Sequence, residues 1–317
     1  MAALEGIPPQ VCSYSGTVSI VCCGAETLPK TSCLPIPANT VTISKTGSKA
    51  RDYCIGLAEQ AYPCVKTEAG PTRGNICPSL PAKDIPDQRV FSGDYPHLAL
   101  LSYDDDGGKN VKGLVWFHLG SLISEDWVIT EAWCARSTKY VRLGGVSWNS
   151  ETPPENIFTV KRLVIHPDAK NDFNDVGLLQ LDRKAIFSKF TFPACLHTGT
   201  CFNEKDLTYV THEGSGYDRW NITVRSAIQC SDLFPAGFRD STQMCARRTR
   251  EDLTVWEPAK RATLGISGSP IQINNDDSVA CTQIIVGITA GEDSTKLNLL
   301  LTRMYGIVAW VESVVWP

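Results

Sequence analysis

The sequence predicts an all-β protein closed by one C-terminal helix, and three observations carry that prediction. From about Val90 onward, short runs of β-branched and aromatic residues alternate with turn residues, the rhythm of a barrel or sandwich. No strand–helix alternation appears, which argues against a doubly wound sheet. At the very end Met304, Ile307, Val308, Val311, Val314 and Val315 recur at helical spacing, the stripe of an amphipathic helix docked on a sheet.

Residues 1–89 come first and differ in texture. They are rich in Pro, Gly, Thr and Cys, lack a regular hydrophobic period, and hold seven of the thirteen cysteines. Such a stretch buries too little apolar surface to fold alone, so it is expected to be stapled or draped over a neighbour. Strands are then expected at Gly113–His118, Trp127–Thr130, Tyr140–Val146, Phe158–Ile165 and Val176–Leu181. A second set follows at Leu207–Thr211, Ile222–Gln229, Pro270–Ile273, Thr282–Thr289 and Leu297–Leu301. Polar loops such as Asn149–Asn156 and Asn274–Asp277 join them.

With 43% hydrophobic residues in 317, the chain can build a sizeable core. Its net charge of −4, from 30 Lys and Arg against 34 Asp and Glu, gives no reason to expect nucleic acid or an anionic membrane as partner. No apolar run approaches the ~18 residues that span a bilayer. The thirteen cysteines show no recurring zinc-type doublets, so disulfides in an oxidising compartment are expected, with no metal and no cofactor. The sequon Asn221-Ile222-Thr223 makes Asn221 a candidate glycosylation site and fits a secreted, extracellular protein. Met1 to Gly6 lacks the basic start and apolar core of a signal peptide, and the odd cysteine count leaves at least one thiol without an internal mate. An incomplete or mature N-terminus is therefore expected.

The chain is organised around Gly265-Ile266-Ser267-Gly268-Ser269-Pro270. Small neighbours let a backbone turn tightly, exposing a hydroxyl beside free N–H groups, as a nucleophile requires. The Gly-x-Ser-x-Gly elbow of α/β-hydrolases is excluded, because its last position is Ser269 and the strand–helix alternation is missing.

Gly120-Ser121-Leu122-Ile123-Ser124 with Trp127-Val128-Ile129-Thr130, then Asn174-Asp175-Val176-Gly177-Leu178-Leu179, then Gly265–Pro270, then Thr302-Arg303 and Trp310-Val311 stand in a telling order. Together they resemble the four blocks of the chymotrypsin/trypsin family, spread over nearly all of residues 90–317. The resemblance implies a double β-barrel with the active site between the barrels. Upstream, Pro9-Gln10-Val11-Cys12-Ser13-Tyr14 and Ile20-Val21-Cys22-Cys23 resemble the tail of a clip domain, the disulfide-knotted module of arthropod haemolymph proteases. The expected organisation is a clip remnant at 1–23, a Cys-containing linker or pro-segment at 24–89, and a trypsin-like domain at 90–317.

Carried over residue by residue, the resemblance implies a degenerate site. Trp133 stands where the catalytic histidine belongs, and an indole has a donor but no basic nitrogen. Asp175 and Ser267 remain, yet no base links them, and losing a triad histidine costs on the order of a million-fold in turnover. None of His97, His118, His166, His197 and His212 lies in the block expected beside Ser267. Ile266 replaces the aspartate that pairs with the new N-terminus after cleavage, for which Arg89-Val90 is the candidate site; the unpaired ammonium would cost roughly several kcal/mol. Gly265 keeps the oxyanion-hole donor, while Ser269 replaces a glycine. Arg261, six residues before Ser267, aligns with the base of the specificity pocket, where it would repel Lys and Arg side chains unless it folds out to solvent.

The resemblance also implies disulfides Cys230–Cys245 and Cys77–Cys195, and leaves Cys134 without a mate because His118 occupies the partner's position. Cys201–Cys281 and Cys54–Cys64 are further candidates whose connectivity spacing cannot fix. The expected function is that of a non-catalytic cofactor or regulator in an extracellular innate-immune cascade of the prophenoloxidase/melanisation or Toll type. Other haemolymph proteases, prophenoloxidase or microbial surface components are the expected partners. Two alternatives stay open: a residual serine endopeptidase working through Ser267, and a decoy that still docks protease inhibitors or substrates.

Overall fold

The computed structural model describes residues 11–15, 18–21, 46–68, 70–77, 90, 93–103, 114, 116–144, 156–170, 172–200, 202, 207–213, 216–235, 237–249, 267–274, 282–295 and 297–317. Strands β1 (Val11–Ser15) and β2 (Val18–Val21) form an antiparallel hairpin in the segment resembling a clip tail.

Helix α1 (Lys49–Ala61) and the hairpin β3 (Cys64–Thr67) and β4 (Gly70–Arg73) follow, where only a cysteine-rich linker was expected. The helix forms because Ala50, Cys54, Leu57 and Ala61 fall on one face and are all buried. Ser48 precedes it without capping the helix through its own side chain. Glu312 does that work from the far end of the chain: its Oε1 accepts the Ala50 N–H at 2.9 Å and the Ser48 hydroxyl at 2.8 Å. Lys49 Nζ donates to the Trp316 carbonyl at 2.6 Å, and Tyr53 packs on Trp316 with ring centroids 5.1 Å apart.

Most of the rest of the described chain forms two β-barrels. The first closes in the order β10-β7-β6-β5-β8-β9, from β5 (Leu98–Ser102), β6 (His118–Leu122), β7 (Trp127–Thr130), β8 (Tyr140–Arg142), β9 (Ile157–Ile165) and β10 (Gly177–Leu181). The second runs β16-β15-β12-β13-β14-β17 and closes through β16–β17 pairing. Its strands are β12 (Thr208–Glu213), β13 (Gly216–Val224), β14 (Gln243–Thr249), β15 (Pro270–Asn274), β16 (Gln283–Glu292) and β17 (Asn298–Arg303). The short β11 (Cys195–Leu196) joins it parallel to β16. This is the chymotrypsin-like double barrel that the sequence predicts.

Each barrel is filled from within. Leu101, Leu122, Val128, Val141, Phe158 and Leu179 pack the first, and Tyr209, Trp220, Met244, Ile271, Val286 and Leu301 the second. The closing helix α4 (Met304–Val315) lays Met304, Ile307, Val311 and Val315 against Ile123, Trp127, Ile129 and Ile288, as its periodicity requires. Several strand expectations shift: β5 and β14 have no counterpart among the expected strands, and the strand expected at Tyr140–Val146 ends at Arg142. The first-barrel strand expected at Gly113–His118 begins only at His118. The strand expected to run on to Gln229 stops at Val224, because Ser226 and Gln229 form a capping box that opens helix α3 (Ala227–Leu233).

Candidate active site

Three segments converge between the barrels. The first leaves β7 at Thr130, whose hydroxyl donates to the Leu119 carbonyl at 2.7 Å, and turns into the short helix α2 (Ala132–Ser137) with Glu131 as its N-cap residue. The second precedes β10, where Asp172 and Asn174 hold left-handed φ of 65° and 46° and Asp175 follows directly. Oδ1 of Asp175 accepts the Ala132 N–H at 3.1 Å, and its backbone carbonyl accepts the Thr302 hydroxyl at 3.3 Å. The third is the turn before β15, which carries Ser267.

That turn is pinned to both barrels. The Ser267 carbonyl accepts the Leu119 N–H at 3.3 Å from the first barrel, while Gly268 N–H donates to the Thr289 carbonyl at 3.1 Å in the second. Gly268 sits at φ +80°, and a Cβ there would run into Thr130 Oγ1 and the Leu119 carbonyl. Ser269, standing where the family has glycine, is buried and donates its hydroxyl to the Val210 carbonyl at 2.7 Å. Its hydroxyl therefore has a partner in the second barrel.

Trp133 does not enter the space between Asp175 and Ser267. Its side chain is 59% exposed and meets the His118 ring edge-on, with centroids 5.0 Å apart. Burial holds the His118 imidazole below its usual pKa, and its Nδ1 has no hydrogen-bond partner among the described residues. Phe117 lies next in this file, stacked on Tyr103 at 4.8 Å.

The side chain that reaches both groups is Glu131, which sequence reasoning missed. It is only 7% exposed, and its Oε2 accepts the Cys134 thiol at 3.1 Å. Its carboxyl also lies in hydrogen-bonding contact with the Ser267 hydroxyl and with Asp175. Burial, and next the charge of Asp175, push its pKa up to about 8. Asp175 is raised too, chiefly by burial, against the hydrogen bonds it receives from Glu131 and the Ala132 N–H. Two carboxyls this close hold a proton between them. The available signal was a carboxylate directly after the apolar strand Trp127–Thr130, a position that demands buried partners.

None of the described imidazoles bonds to Asp175 or Ser267. Nε2 of the fully buried His97 lies 2.9 Å from Gln272 Oε1, and burial lowers its pKa to about 4. His166 packs on Trp310 and His197 on Phe202. The side chain of His212, in β12, lies outside the described residues.

Arg261, Gly265, Ile266 and Arg89 also lie outside the described residues. Val90 is buried and donates its N–H to the Tyr217 carbonyl at 2.8 Å. Asn221 is exposed on β13. Cys230 and Cys245 are joined, and Cys134 is a buried free thiol. Two expected pairings are corrected. Cys195 bonds to Cys54, not Cys77, because α1 presents Cys54 to β11 at a Cα–Cα distance of 5.3 Å. Cys54–Cys64 falls with it; Cys64 and Cys77 are each disulfide-bonded elsewhere. Cys201 and Cys281 lie outside the described residues. Among the described residues no group of three His, Cys, Asp or Glu side chains could hold a metal ion, and no helix is long and apolar enough to cross a membrane.

A family model described as Trypsin matches residues 91–311. Serine protease Hayan of Drosophila melanogaster is 29% identical over 253 residues, covering 73% of this chain and 38% of that protein. Serine protease snk of the same fly is 25% identical across 98% of this chain and 72% of its own length. CLIP domain-containing serine protease HP8 of Bombyx mori is 26% identical over 74% of this chain and 62% of that protein. The chain thus spans little more than a third of Hayan and under three quarters of snk. The solved structure titled GrC superposes with a TM-score of 0.56 at 20% identity, covering 72% of this chain and 97% of that one, a likeness of fold.

Proposed function

The chain belongs to the trypsin family over residues 91–311, and from that premise we propose that it no longer cleaves peptide bonds and acts by binding. Its role is that of a secreted cofactor or regulator in an extracellular innate-immune protease cascade of the prophenoloxidase/melanisation or Toll type. Its partners are other proteases of the cascade, prophenoloxidase or microbial surface components.

One observation carries this proposal: the residue at the histidine position is Trp133, an indole turned outward, and no described imidazole stands between Asp175 and Ser267. Peptide hydrolysis at neutral pH needs a group that takes the serine proton and returns it to a leaving amine, which imidazole does well and indole cannot do. Both barrels close among the described residues, and a closed scaffold can serve binding without its family's usual activity. The likeness to HP8, a clip-domain protease by its printed name, supports the placement in a cascade.

The full-length chain is to be assayed, before and after proteolytic activation, on peptide amides with basic and apolar residues ahead of the scissile bond. It is then added to a clip-domain protease and prophenoloxidase. The expected result is no amide hydrolysis above a Ser267→Ala blank, together with a change in prophenoloxidase cleavage that depends on the added chain. Amide turnover lost in Ser267→Ala would overturn the non-proteolytic assignment.

A further inference from the structure

Three groups from three segments form a continuous series: the Ser267 hydroxyl, the Glu131 carboxyl, and the Asp175 carboxyl. Each link has a physical anchor. Ser267 is fixed through its own carbonyl and through Gly268, and it remains partly exposed to the cleft. Asp175 is fixed by the Ala132 N–H at 3.1 Å. Glu131 is fixed by the Cys134 thiol at 3.1 Å, and its side chain makes no cap hydrogen bond to its own helix. A nucleophile, a proton acceptor within reach of it, and a third group orienting the acceptor are the parts of an activated serine.

We propose that Glu131 is the proton acceptor for Ser267, so that the cleft takes up acyl or phosphonyl groups from reagents with a good leaving group although it lacks a histidine. In the step, Ser267 Oγ attacks the carbonyl carbon or phosphorus and a bond to Oγ forms. The hydroxyl proton passes to the Glu131 carboxylate. The bond to the leaving group breaks, and a phenolate or fluoride departs with the electron pair. Such leaving groups need no proton, so this chemistry does not require the amine-protonating step that peptide hydrolysis does. In the reactive form the shared proton has left the pair, and Asp175 accepts the hydrogen bond of the Glu131 carboxylic acid that forms as the serine proton arrives. In the resting form the shared proton rests on Glu131 and blocks the acceptor.

The surroundings set the sign of the pH response. Burial and the Asp175 charge keep Glu131 protonated past neutrality, so its carboxylate becomes available as pH rises through about 8. Cys134, on α2, is itself held as a thiol by burial and by Glu131. From β6, His118 meets Trp133 rather than the carboxyls, and burial holds it below its usual pKa. Asp172 raises and Arg136 lowers the Asp175 value.

The test is single-turnover labelling of the full-length chain with a biotinylated fluorophosphonate from about pH 6 to about pH 9.5, with Ser267→Ala as blank. Labelling of Ser267 is expected to accelerate through about pH 8. Glu131→Gln, which keeps the shape and hydrogen-bonding reach, is expected to slow it by roughly 100-fold or more and to flatten the profile. Asp175→Asn removes the second cause of the raised Glu131 value, so the midpoint is expected to move to lower pH. Absence of Ser267 labelling at every pH, or equal labelling in Glu131→Gln, would overturn the proposal. Peptide-amide turnover by the wild-type chain would instead count against the non-proteolytic function and leave this assignment standing.

Discussion

Replacing Glu131 by Gln should change not only reactivity but the pH dependence of folding. The Glu131 carboxyl is held protonated in the native state, its value raised from 4.5 to about 8, first by burial and then by Asp175. Between those values the unfolded chain has released its proton while the native chain keeps it. The unfolded state then binds fewer protons, so stability falls as pH rises, at about 1.4 kcal/mol per pH unit for one group. From about pH 6 to about pH 8 the loss amounts to about 2 kcal/mol, the slope flattening as the native group begins to ionise. Glutamine cannot ionise, so its chain escapes this loss. Urea titrations of wild type and Glu131→Gln at several pH values cancel the titrating groups that do not touch Glu131 when their unfolding free energies are subtracted. The variant should gain about 2 kcal/mol on the wild type across that interval. Two curves that stay parallel would refute the placement of a protonated carboxyl at this site.

Further outcomes follow from the same geometry. Trp133→His alone should leave peptide-amide hydrolysis at the Ser267→Ala blank, because Glu131 already occupies both Asp175 and Ser267; p-nitroanilide turnover checks this. Gly268→Ala forces a side chain onto φ +80° and into Thr130 Oγ1, so thermal or urea unfolding should show a loss of about 3 kcal/mol or more. Glu312→Ala strips the start of α1 of its acceptor and should cost about 1–2 kcal/mol, read as faster amide hydrogen exchange in the first turn of that helix.

What the sequence disclosed depended on how local each signal was. Helix α4 was legible because Met304, Ile307, Val311 and Val315 are large, apolar and evenly spaced, and they meet the core. The face of α1 has the same period, but three of its four residues, Ala50, Cys54 and Ala61, are small, and with Leu57 they lie in a stretch dominated by cysteine and turn formers. Helix α3 hides for the opposite reason: Ile228 is 77% exposed, so no amphipathic stripe marks it, and only the Ser226 and Gln229 cap announces it. Most barrel strands could be read from apolar runs, though β5 and β14 were not, and the partner of Cys195 depended on where an unforeseen helix would dock. Trp133, Asp175 and Ser267 were found by position in their blocks. Glu131 was not, since its importance lies in contacts with residues 44 and 136 positions away.

The bridge between Cys54 and Cys195 joins points 141 residues apart and spans the candidate cleavage bond at Arg89-Val90. Severing that bond would therefore yield a nicked molecule rather than two products, and only a reducing gel would separate its pieces. The chain upstream of the cut would stay leashed to the barrels, at an effective concentration on the order of millimolar. Activation by cutting, if it occurs, loosens a joint without letting either half diffuse away.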